Sequence, residues 1–243
     1  MKPTRGLSYE LASGPRGAPP WRLLERAGQG ATSTVWKAQH ERTGQLVAFK
    51  VAREEVVAAE AVVREAVLLA RTQRRWGPMI VDAGPGFVAT EWVVGEPLDP
   101  KALEGNRERV AAVVAHAVAR SLEELHEAGV RHGDVKPANV LVSPRMPASD
   151  VAAERGATLV DFGLATPIGV TALGGTARYA APEVRQEGSA GPAADLWALG
   201  VMLAEICDEG VAVAQDPSNA VARWDRSHDS EPARWAEIGR AHV

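Results

Sequence analysis

The sequence predicts an α+β protein of two lobes, an N-terminal antiparallel sheet carrying one helix and then a mainly helical second lobe. Between residues 21 and 94, short apolar runs alternate with glycine-bearing turns, the signature of small β-strands. Only residues 54–70 interrupt them, with apolar side chains at helical spacing. Gly95-Glu96-Pro97 then breaks the pattern and marks a lobe boundary. Beyond it, residues 107–128 form one long amphipathic stretch closed by Gly129, which suits a helix with a glycine C-cap. The predicted lobes are therefore 21–94 and 95–236.

Size and composition exclude several classes. A chain of 243 residues with 46% hydrophobic side chains can bury a core in one large domain or two small lobes. Its net charge of -4 supplies no basic field, so no nucleic-acid partner is expected. Cys207 is the only cysteine, which excludes an internal disulfide and suits a reducing compartment. No apolar run approaches the roughly 18 residues of a membrane span. The best candidate, 110–125, carries His116, Arg120, Glu123 and Glu124. Residues 1–20 lack the apolar centre of a signal peptide, and their glycines and prolines predict a flexible leader. A cytoplasmic location is the expectation.

Taken in order, residues 21–27 read as a strand leading into Gly28-Gln29-Gly30-Ala31-Thr32-Ser33-Thr34-Val35. Glycines at this spacing let the backbone bend closely over phosphates and offer them N–H groups, although any β-hairpin also wants such a turn. Residues 35–40 return as a strand, Thr43-Gly44 turns, and 46–52 make a third strand. That strand places Lys50 inside Val47-Ala48-Phe49-Lys50. An ammonium there must snorkel to the surface or meet anions in a cleft. In the helix at 54–70, Val63, Val67 and Leu68 mark an apolar spacing; Glu65 is the expected partner of Lys50, with Glu60 its rival. Two further strands, 79–83 and 87–94, flank Gly84-Pro85-Gly86.

The long helix runs into Val130-Arg131-His132-Gly133-Asp134-Val135-Lys136-Pro137-Ala138-Asn139, followed by Val140-Leu141-Val142. An Asp, a Lys two residues on and an Asn three beyond that, closed by an apolar β-branched run, can present a base, a cation and a metal ligand to one phosphoryl group. A polar turn between helix and strand is the plainer reading of the same residues.

With this loop and its companions the chain resembles the protein kinase family, most closely its bacterial serine/threonine branch, from residue 21 to about residue 206. The ordered signature is the glycine-rich turn, Lys50, the loop at 130–139, Asp161-Phe162-Gly163, Ala181-Pro182-Glu183 and Asp195-Leu196-Trp197-Ala198-Leu199-Gly200. The resemblance implies ATP and Mg2+ as cofactors and transfer of the γ-phosphoryl group to Ser or Thr hydroxyls of a protein substrate. It implies that Gly28, Gly30, Ser33, Val35 and Ala48 surround the nucleotide, that Lys50 binds its α/β-phosphates, and that Glu65 orients Lys50. Thr90 falls at the gatekeeper position, and Glu91 to Val93 at the hinge whose backbone meets adenine. Asn139 and Asp161 are the implied magnesium ligands. Asp134 is the residue that accepts or orients the substrate hydroxyl, and Lys136 neutralises the transferring group. Lys136-Pro137-Ala138-Asn139 and Gly175-Thr176-Ala177-Arg178-Tyr179 look like serine/threonine rather than tyrosine kinases, and make Thr176 a partner of Asp134 and Lys136. A turn residue at Asp161 and a phosphorylated or merely exposed threonine at 176 are the plainer alternatives.

Departures from the family pattern carry expectations of their own. Gly133 stands where an Arg usually pairs with an activation-loop phosphate, so activity is predicted not to require phosphorylation of that loop. His132-Gly133-Asp134 is also similar to aminoglycoside and choline kinases, which usually lack a Lys two residues after the Asp and the A-P-E segment. Ser33 replaces a third glycine, and residues 142–158 read as a surface insertion. The helices that normally follow the one near Asp195 are largely missing from the sequence. Residues 238–243 back-translate to a common sequencing adapter, which predicts a truncated second lobe and a non-native tail over 237–243. Glu183 would then lack its usual Arg partner, and loss of one member of a buried ion pair costs about 3–5 kcal/mol. Two alternatives to a protein kinase stay open: a small-molecule kinase, and a nucleotide-binding scaffold impaired by truncation.

Overall fold

The protein is described as a computed structural model over residues 21–30, 33–53, 56–70, 77–103, 107–143, 156–171, 174–187 and 191–207, with backbone alone at 56–59 and 186–187. The expected leader at 1–20, most of the insertion and the chain from 208 onward, including the tail at 237–243, lie outside the described residues. The described residues divide into two compact units, one reaching Val94 and the other continuing from Gly95, with Gly77 belonging to the second.

In the first unit, β1 (Trp21–Gln29), β2 (Ser33–His40), β3 (Leu46–Ala52), β4 (Ile80–Gly84) and β5 (Phe87–Glu91) form one antiparallel sheet in the order β1-β2-β3-β5-β4. Helix α1 (Val56–Ala70) lies between β3 and β4 in the chain. Strand alternation sorts the side chains. Val47 and Phe49 of β3 join Ala38 and Ala89 in a core to which Trp21, Trp36 and Phe87 add their rings. The Phe49 and Phe87 rings stack with centroids 4.9 Å apart. The opposite face of the sheet receives α1, with Val62 and Ala66 packed on Val88, Ala52 and Ile80. Because side chains alternate along a strand, Lys50 shares this helix-facing side with Ala52.

Strand β5 stops at Glu91, short of the expected 94, and two further details differ from expectation. Strand β1 continues two residues past 27, because register shifts at Leu23/Glu25 and Arg26/Gly28 keep the ladder going to the pair Gln29 and Thr34. On α1, Val63 and Val67 are exposed, while Val62, Glu65, Ala66 and Leu69 are buried. The buried stripe is thus set by the face that carries Glu65, not by the most apolar spacing.

The second unit contains β6 (Glu96–Pro97), α2 (Arg107–Glu127), β7 (Val130–Arg131), a 3-10 turn (Pro137–Asn139), β8 (Val140–Val142), β9 (Ala157–Leu159), β10 (Thr166–Pro167), α3 (Pro182–Glu187) and α4 (Pro192–Cys207). Strands β6, β8 and β9 make a small antiparallel sheet, and β7 pairs with β10. Helix α2 buries Val110, Val114, Ala117, Val118, Leu122 and Leu125, a stripe at three- and four-residue steps. It packs against α4 and β9. Each fully buried Val or Leu in that stripe contributes roughly 1.5–3 kcal/mol. Helix α2 ends at Glu127, and just past it Gly129, whose φ of +73° favours glycine, donates its amide to the His126 carbonyl at 3.0 Å. Arg107 secures the far end of α4 by donating from Nη1 to the Ile206 carbonyl, 3.1 Å away. No described helix is long and apolar enough to cross a membrane.

Candidate active site

In the first unit the structure brings Lys50 and Glu65 together. Lys50 is 9% exposed and Glu65 5%, and Nζ donates to Oε2 at 2.7 Å. Charge assistance favours so short a bond, and burial of both groups makes each depend on the other. Glu60, the alternative partner, is exposed. Ala48 lies beside Lys37 on one flanking strand and Thr90 on the other. Gly28 pairs with Val35, and the Gly30 amide donates to the Ser33 carbonyl at 2.9 Å, so the hairpin closes over the glycine-rich stretch. Residues 31–32 of that stretch lie outside the described residues. Glu91 ends β5, where its amide donates to the Met79 carbonyl at 2.9 Å and Val93 follows half-buried.

In the second unit Asp134 is the hub. Lys136 Nζ donates to its Oδ2 at 2.6 Å and Asn139 Nδ2 to the same oxygen at 3.2 Å. Both the hydroxyl and the amide of Thr176 donate to Oδ1, at 2.9 and 3.1 Å. Lys136 also reaches the Thr176 hydroxyl at 3.1 Å, so residues 42 positions apart share one network. Asn139 further donates to the Asp134 carbonyl at 2.8 Å.

Asp161 is placed by the β8–β9 hairpin. Val140 pairs with Leu159, and the Val160 amide donates to the Asn139 carbonyl at 2.9 Å, which sets Asn139 and Asp161 at the same end of the hairpin. Asp161 is exposed and has a φ of +63°, a strained conformation for a non-glycine residue that typically costs about 1–3 kcal/mol. Its carboxylate accepts the Gly163 amide at 3.3 Å. Phe162, by contrast, is 2% exposed and meets the His132 ring edge-on at 4.8 Å.

These donor sets suit a nucleotide with a hard cation. With the Asn139 amide nitrogen committed to Asp134, its Oδ1 is the atom left to face a metal; Asp161 adds a carboxylate. One or two such oxygens completed by phosphate oxygens are the usual protein share of a magnesium site.

Asp195 was read from sequence only as part of a helix, yet it organises the loop. It accepts from His126 Nε2 at 2.9 Å, from the His132 amide at 2.8 Å and from the Gly133 amide at 2.9 Å. Burial alone pushes this carboxyl up, but the His126 hydrogen bond, the His132 charge and the two amides bring it below the ordinary Asp value. An acidic residue opening an apolar helix was the available signal. Tyr179 was also missed as a structural link: its hydroxyl donates to Glu205 at 2.7 Å, and Arg178 forms an ion pair with the same carboxylate. Burial, followed by the Glu205 hydrogen bond, pushes the Tyr179 phenol up.

Residues 21–231 match the protein kinase domain family. Among curated proteins, the chain is 30% identical over 199 residues to the serine/threonine-protein kinase SMU1 of Mycosarcoma maydis, covering 77% of this chain and 26% of that protein. It is 32% identical over 209 residues to the serine/threonine-protein kinase PKZ1 of Phytophthora infestans, covering 75% and 52%. It is 30% identical over 233 residues to the serine/threonine-protein kinase PknA of Mycobacterium tuberculosis, covering 87% and 51%. The chain thus spans from about a quarter to a half of these relatives' length. A match over most of the sequence, joined to a buried Lys–Glu pair and an Asp–Lys–Asn–Thr network, has one consistent source: the chain belongs to the protein kinase domain family.

Proposed function

We propose that the chain is an ATP-dependent serine/threonine protein kinase. The observation that carries this reading is the Asp134 network, in which one carboxylate is held by Lys136, Asn139 and the Thr176 hydroxyl and amide. Asn139 and Asp161 would hold Mg2+, which when bound neutralises charge on the phosphate oxygens. Lys50, fixed by Glu65, binds the α/β-phosphates. Gly28, Gly30, Ser33, Val35, Ala48 and Thr90 border the nucleotide, and the backbone from Glu91 to Val93 meets adenine.

Asp134 orients the acceptor hydroxyl and takes its proton as that oxygen bonds to the γ-phosphorus. The bond to the bridging oxygen breaks, and ADP leaves with the electron pair. Lys136 places a positive charge beside the group in transit, and its second contact to Thr176 fixes the ammonium. The relatives are named as serine/threonine-protein kinases, and Thr176 lies against Asp134 where a hydroxyl acceptor must also approach. The same roles support a protein substrate in preference to a small alcohol or amine.

Transfer from γ-labelled ATP to a generic protein, compared with a panel of aminoglycosides and choline, tests the proposal. Label on protein Ser and Thr is expected. Label confined to a small molecule would replace this reading with small-molecule phosphorylation, and ATP binding without any transfer would replace it with a scaffold.

A further inference from the structure

Lys37 stands on the nucleotide side of the first unit's sheet, yet the phosphoryl-transfer scheme gives it no part. In the ladders it lies opposite Glu25 on β1 and Ala48 on β3, and Ala48 in turn lies opposite Thr90 on β5. Directly opposed side chains share a face, so Glu25, Lys37, Ala48 and Thr90 form one row across four strands. That face is turned away from the core of Ala38, Val47, Phe49 and Ala89, and the neighbouring row on it holds Val35 and Lys50.

Two contacts hold the Lys37 ammonium. Nζ donates to Glu25 Oε1 at 3.1 Å and stands 5.0 Å from the centroid of the Trp92 ring. The Glu25 side chain is 65% exposed, so water screens the ion pair and it contributes little. The ring contact is different in kind. Trp offers a cation the most favourable aromatic face, the attraction acts within about 6 Å, and Trp92 is half-buried.

The place of this contact gives it a consequence for the nucleotide. The β3–β5 ladder ends at the pair Val47 and Glu91, and residues 92–95 belong to no strand. The backbone that meets adenine in the proposed site is therefore held by the ladder only as far as Glu91. Past that point, the Trp92 ring beneath Lys37 ties the segment back to β2. We propose that Lys37 and Trp92 form a clasp that positions the backbone of residues 91–93 for the adenine ring, with Lys37 a positioning residue that acts through Trp92. The clasp presupposes the nucleotide reading of the first unit and adds to it two side chains that take no part there.

Steady-state kinetics with ATP varied, and calorimetric binding of a non-hydrolysable ATP analogue with Mg2+, test the clasp in Lys37→Met, Trp92→Leu and the double variant. Neither side chain belongs to the buried core, so these variants fold. Each single change should raise both the KM for ATP and the dissociation constant of the analogue by about two- to fivefold and leave kcat in place. The double variant should lose no more than either single one, because both remove the same contact. Lys37→Arg, whose cation can stack on the same ring, should recover most of the affinity. A fall in kcat with KM unchanged, losses that add in the double variant, or native affinity in both single variants overturns the clasp and leaves the kinase reading standing. A native chain that binds no adenine nucleotide overturns both.

Discussion

Replacing Lys50 with Met leaves Glu65 buried without its ammonium partner. Removal of one member of such a pair costs about 3–5 kcal/mol. Lys50→Met should therefore lower the urea midpoint, while Lys50→Met/Glu65→Leu should recover much of the loss; equal midpoints for the single and double variants would contradict the pairing as the cause. Thr176→Val keeps the shape and the amide contact but deletes the hydroxyl shared by Asp134 and Lys136. Its kcat is expected to fall about tenfold or more, with Thr176→Ser near native, because positioned acid–base groups contribute about 10²–10⁴-fold in rate. Steady-state kinetics check both. Lys50, Asp134, Lys136 and Asn139 were legible in sequence because each sits in a short run whose spacing has chemical meaning. Arg131 was not: in Val130-Arg131-His132 it reads as a routine polar residue, and only its 2% exposure shows otherwise.

At the scale of elements, the turn between β7 and the 3-10 helix depends on α4. Asp195 has a lowered pKa in the folded protein, so its contribution is fully present above the unfolded value of about 3.9 and is lost as pH falls through the folded value. Urea midpoints of native protein should drop over that acid range, whereas Asp195→Asn should start lower and show a shallower slope. Gly133 has a φ of +81° and a Cβ there would lie 2.6 Å from the Leu164 carbonyl oxygen. Gly133→Ala is expected to cost about 1–3 kcal/mol in the same measurement.

The loop threonines separate in a similar way. Thr166 is 1% exposed in β10, opposite Arg131, and Thr171 is exposed. Thr171→Ala should leave kcat within about twofold, in keeping with Gly133, whereas any loss in Thr166→Ala should appear first in stability. A dead Thr171→Ala enzyme rescued by Thr171→Glu would contradict this. Strand and helix positions were largely readable from period and turn residues. The inward face of α1 was not, because Val63 and Val67 outrank Glu65 in apolarity while the Lys50 contact decides the rotation.

For the whole molecule, the two units each hold part of the proposed machinery, Lys50 and Glu65 in the first and Asp134, Lys136, Asn139 and Asp161 in the second. Ligand that binds only folded protein raises stability by about 2.7 kcal/mol at a hundred times its dissociation constant. A non-hydrolysable ATP analogue with Mg2+ should therefore raise the thermal midpoint, and Lys50→Met should reduce that rise. Gly95 and Pro97 stand at the division after Val94, although Glu96–Pro97 then pair with β8 as the short strand β6. The Asp134–Thr176 contact carried no local signal: it joins residues 42 positions apart and emerged only through the family resemblance.

Transfer of label from γ-labelled ATP to protein, measured for native chain and Asp161→Asn side by side, tests the central claim most directly. Asp161 is exposed and Asn keeps its size and the oxygen that accepts the Gly163 amide, so the Asn variant should fold as the native chain does. Native protein should label Ser and Thr, and Asp161→Asn should lose that transfer by at least about a thousandfold. Equal transfer by the two proteins would contradict the account.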